Sequence, residues 1–88
     1  MNIVISLGDE FARHDSDGRL LDPEPAVMAT AAFRGQRGEW FVPQRTWVKD
    51  FPGQVTEGRI GIPRIRYCPI SWLGAKRAAE VLRLIEAR

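Results

Sequence analysis

Two residues carry the groups from which nucleophilic catalysis is usually assembled, Cys68 and His14, and each is the single example of its type. A thiolate attacks efficiently only with a base within hydrogen-bond reach. No spacing ties these two together: His14 adjoins a turn, and Cys68 runs directly into Pro69. The expectation is a packed thiol, a surface imidazole and no catalytic residue. The chain also lacks a Gly-x-Ser-x-Gly elbow and a Gly-x-x-x-x-Gly-Lys loop. One cysteine excludes an intramolecular disulfide, which suits a reducing, cytosolic compartment.

Arg13 to Glu24 has part of the spacing of a calcium loop. With Arg13 at the first position, Asp15 and Asp17 fall at the third and fifth, Gly18 at the sixth and Glu24 at the twelfth. The first ligand would then be a guanidinium, which repels a divalent cation, and Pro23 stands just before the bidentate position. A turn is the expected structure here, with no metal and no cofactor. Asp9, Glu10, Asp15 and Asp17 are close in sequence, but a solvated loop offers no low-dielectric pocket for acid–base work. The chain reads as non-enzymatic.

What remains is recognition. Residues 1–33 hold six acids and two bases, a net −4, whereas residues 34–88 hold eleven bases and five acids, a net +6. A fold that kept these regions apart would present surfaces of opposite sign to a charged partner. The acidic candidates are Asp9, Glu10, Asp15 and Asp17. The basic and aromatic candidates are Arg34, Arg37, Trp40, Trp47, Arg64 and Arg66, because Trp and Arg are the types that most often anchor interfaces. The expected partner is a larger protein or nucleoprotein complex. The expected role is a small inhibitor, of the kind a phage or mobile element encodes, that occupies a charged host surface. The alternative is a nucleic-acid-binding module, with arginines on phosphates and tryptophans stacked on bases. Against it, a net charge of +2 is mild for such a protein, and no RNP-like strand, Gly-x-x-Gly loop or helix-turn-helix is present. Homodimerisation through a sheet edge or a helix is a further expectation. No apolar run approaches the ~18–20 residues of a membrane span, and the first residues lack the basic start of a signal peptide.

The elements that must position these residues fit one domain over residues 1–88. Ile3 to Leu7 reads as a first strand. Asp15-Ser16-Asp17-Gly18 is a turn between two short hairpin arms. In residues 22–35, Asp22-Pro23-Glu24 and four alanines suit a helix. The alternation of Val27, Ala29, Ala31 and Phe33 before Arg34-Gly35-Gln36-Arg37-Gly38 favours a hairpin arm instead. Trp40 to Val48 is aromatic and β-branched, and Pro43 makes it an edge strand or a bulged one. Arg59 to Tyr67 is a second long strand, interrupted at Pro63. Ser71 is the expected cap of a C-terminal helix. The fold class is α+β: a small antiparallel sheet of four to five strands, covered on one face by a C-terminal helix over about residues 71–88.

Overall fold

The computed structural model describes residues 8–49 and 55–88. The expected strand at residues 3–7 therefore lies outside the described residues. The chain is a mixed α+β domain with two helices and antiparallel sheets.

Its frame is the pair β4 (Trp40–Val48) and β7 (Ile62–Pro69), matched residue for residue from Phe41 opposite Pro69 to Val48 opposite Ile62. None of the three prolines interrupts the ladder. In an antiparallel pair, alternate residues point both backbone polar groups away from the partner strand. Two bonds fix that set: the Arg45 amide donates outward to an Asp22 carboxylate oxygen (2.7 Å), and the Ile65 carbonyl accepts outward from the Gly8 amide (2.9 Å). Pro43, Pro63 and Pro69 share the parity of Arg45 and Ile65. Each missing N–H therefore falls where the ladder needs none. The expected bulge at Pro43 does not form, and β4 is the middle strand of its sheet rather than an edge strand; Pro43 lies just past Trp40 and Phe41, the two residues paired on its other side.

The sheet differs from a single four- or five-stranded one. Among the described residues, β3 (Phe33–Arg34) joins β4 only at Phe41 and Trp40, giving a three-stranded sheet in the order β3-β4-β7. Two hairpins stand apart from it: β1 (Arg13–His14) with β2 (Leu20–Leu21), and β5 (Val55–Thr56) with β6 (Arg59–Ile60). The break between β6 and β7 is Gly61, at φ 111°. A Cβ there would stand 2.6 Å from the Val48 carbonyl oxygen, so only glycine fits.

Residues 22–35 take parts of both readings. α1 (Pro25–Ala31) is a helix with proline in its first turn, and it stops in time for Phe33 to start β3. α2 (Ala75–Glu86) starts after Gly74, at φ 84°, rather than at Ser71. Residues Ile70–Leu73 instead form a tight 3-10 turn that sinks Ile70 into the core. The helical layer is thus a pair. Met28, Ala29 and Ala32 pack with Val81 and Ile85 over Val42 of β4. The opposite sheet face carries Phe33, stacked on Phe41 at 5.5 Å and tilted against Tyr67 at 5.2 Å, above a fully buried Ile65. Arg88 ties the helices together. Its guanidinium donates to the carbonyls of Ala29 (2.9 Å) and Ala32 (3.1 Å), meeting the negative end of α1 with a cation. Among the described residues, no helix is long and apolar enough to cross a membrane.

Candidate binding groove

Each sequence-derived candidate has a definite place. Arg34 and Trp40 are cross-strand partners, and the guanidinium lies 4.6 Å from the ring centroid. Arg88 approaches the same indole at 5.6 Å. Arg34 also donates to the Gly38 carbonyl, closing the hairpin loop whose exposed tip holds Arg37. This cluster stabilises the fold, with Trp40 packed against the helical core. Trp47 lies seven residues further along β4, about 23 Å away at strand rise. Odd spacing puts it on the other face. The two tryptophans do not form one stacking platform.

Two of the four acidic candidates, Asp9 and Asp15, are engaged within the molecule. Asp9 makes a two-point contact with Arg64, 2.6 Å at the shorter bond, so one residue from each charged list neutralises the other. One carboxylate oxygen of Asp15 accepts the amides of Asp17 and Arg19, closing the turn read from the sequence. Asp22 receives the Arg45 amide on one oxygen and the Arg77 guanidinium on the other, at 2.9 Å. Arg19 reaches Glu57 at 3.4 Å, joining the two hairpins. Glu10 and Asp17 are exposed. The acidic third therefore docks onto the basic two-thirds through Asp9–Arg64 and Asp22–Arg77. Arg66 shares the face of Arg64, as their spacing implies, and is half-buried.

Cys68 is fully buried, and its thiol donates to the Arg66 carbonyl at 3.5 Å. Burial pushes the thiol up from about 9 to about 11, with Asp22 adding to the shift and Arg66 opposing it. The nucleophilic thiolate is thus scarce at neutral pH. His14 is exposed on β1.

The concave feature with the densest binding chemistry is a groove of about 390 Å³ lined by Asp22, Gln44, Arg45, Thr46, Trp47, Lys49, Arg59 and Trp72. Four consecutive residues of β4 border it. Consecutive strand residues point to opposite faces, so a depression touching all of them opens at the strand's edge. β7 covers one edge; the groove runs along the other, beyond the two residues, Trp40 and Phe41, that β3 covers. Among the described residues, three cations and one carboxylate line it. The Arg59 guanidinium sits 4.4 Å from the Trp47 ring centroid and that of Arg45 5.0 Å from it, so both guanidinium groups lie over the indole. Trp72, in the 3-10 turn, is 61% exposed. A second shallow depression, at the start of α2, includes Arg77, whose guanidinium Asp22 already holds.

Sequence reasoning singled out Trp47 but missed Trp72, Arg45, Lys49 and Arg59 as its companions. The signal was present in part: Pro43 marks the edge, and Arg45, Trp47 and Lys49 follow at strand period. Trp72 carried no such mark, because an indole reads first as core. Comparison with protein-family models, curated proteins and solved structures finds no match.

Proposed function

We propose that the chain is a non-enzymatic binding module that holds a larger protein by the groove between Trp47 and Trp72. The observation that carries this reading is Trp72, whose indole stands 61% exposed beside three cations in one groove. An exposed indole keeps apolar area in water that a partner would cover, and Trp and Arg supply most hot spots of protein interfaces. The buried, protonated Cys68 supports a non-enzymatic role. The net charge of +2 is small, and the Trp40 and Trp47 rings already carry guanidinium groups. Both points favour a protein over a nucleic acid. The second reading, a single strand stacked on Trp72, keeps one observation in its favour: an exposed aromatic among cations is also how single strands are held.

Capture from lysate with matched baits tests the reading. Trp72→Ala is expected to keep the fold, since the side chain is mostly exposed, and to lose the proteins that wild type retains. Arg37→Glu and Asp17→Lys, both away from the groove lining, are expected to retain them. Equal retention by Trp72→Ala and wild type would refute the proposal.

A further inference from the structure

The open edge of β4 shows how a carboxylate is held there. At Arg45 the outward amide donates to one oxygen of Asp22, whose other oxygen takes the Arg77 guanidinium. A strand-edge N–H and a cation thus share one acid. Two residues on, Trp47 has the same parity, so its amide also faces outward. Arg59 and Arg45 lie over its ring, and Lys49 lines the same groove. Among the described residues, neither this amide nor the indole N–H has an acceptor, and the indole nitrogen is sealed from solvent. Donors and cations are therefore gathered around Trp47, and among the described residues the groove's lining holds one carboxylate, Asp22, which is already committed to Arg45 and Arg77. Pro43 and Asp22 close the edge on the other side of Arg45, so only a short contact fits, over residues 46–49.

We infer that the groove takes an extended acidic segment of a partner protein, whose aspartate or glutamate caps Trp47 as Asp22 caps Arg45. The segment's carboxylate accepts from the outward Trp47 amide and pairs with Arg59 and Lys49, while Trp72 covers its apolar side chains. This rests on the groove being the binding surface. Charge complementarity selects the occupant: among the described residues, three cations line the groove against one acid that is already engaged.

The test is a ¹H–¹⁵N titration of the full chain with a synthetic peptide of alternating Asp and Val, about six residues long to match a strand. Matched titrations use the Asn–Val counterpart and oligothymidylate. The Asp–Val peptide is expected to move the Trp47 amide and indole signals. The Asn–Val peptide should bind at least about tenfold more weakly, and Arg59→Glu should abolish the shifts. Unmoved Trp47 signals, or equal response to the Asn–Val peptide, would overturn the inference. So would shifts with oligothymidylate alone, which would make a nucleic acid the ligand. If the peptide fails while Trp72→Ala still abolishes lysate capture, the groove stands as the surface and this mode of binding falls. If both fail, neither survives.

Discussion

Met28→Ala is expected to lower the unfolding temperature by roughly 10–30 °C, which corresponds to about 2–5 kcal/mol for a buried methionine in a domain of this size. Met28 is completely buried and stands where α1, α2 and β4 meet. Removing its thioether chain leaves a cavity bounded by Val42, Val81 and Ile85, which belong to separate elements and close in only partly. The total stability of 88 residues is about 4–13 kcal/mol at ordinary values per residue, so this one change removes a large share. Thermal unfolding followed by circular dichroism provides the measurement. A shift below about 5 °C would mean that the short α1 is not part of the cooperative core.

Arg59→Glu is expected to weaken partner binding by roughly 10- to 100-fold with little change in stability. The groove's lining carries Arg45, Lys49 and Arg59 against Asp22, so reversing one cation takes its formal charge from +2 to zero. Arg59 is the informative choice because it is exposed on the β5–β6 hairpin. Its loss removes one cation–π contact, worth about 0.5–1 kcal/mol at an exposed site. Arg45 would confuse the result, since its guanidinium holds the Leu20 carbonyl at 2.9 Å and thereby the β1–β2 hairpin. The effect should shrink as salt rises, because the groove is open to solvent and its charges are screened over about 8–10 Å. Titration of a captured partner at two salt concentrations reads both quantities. Unchanged affinity would remove the cations from the account.

The long strands and the Asp15–Gly18 turn were legible because their signals are local. Aromatic and β-branched runs make β4 and β7, prolines mark outward positions, and Asp15 bonds amides two and four residues away. α1 was ambiguous for a physical reason. Alanine fits either face of a strand or helix, so an alternation built on Ala29 and Ala31 carries little information, while Pro25 and the alanine-rich run decide for helix. The start of α2 was misplaced because Ser71 is a good cap by type, yet burial of Ile70 winds those residues into a 3-10 turn first. The charge split was real in sequence and partly cancels in space: Arg64 meets Asp9, and Arg77 meets Asp22, each across 55 positions. No local pattern encodes those pairings. The groove was hidden for the same reason, since Asp22, Trp47, Arg59 and Trp72 come from four separate elements or loops.

The most direct test of the groove as the binding surface is amide hydrogen exchange on the chain, free and bound to a captured partner. The account predicts slowed exchange concentrated in residues 44–49 and Ile70–Leu73, where the open edge of β4 and Trp72 lie. Slowing confined to the Asp15–Gly18 turn or the Arg34–Gly38 hairpin loop, with residues 44–49 unchanged, would contradict it.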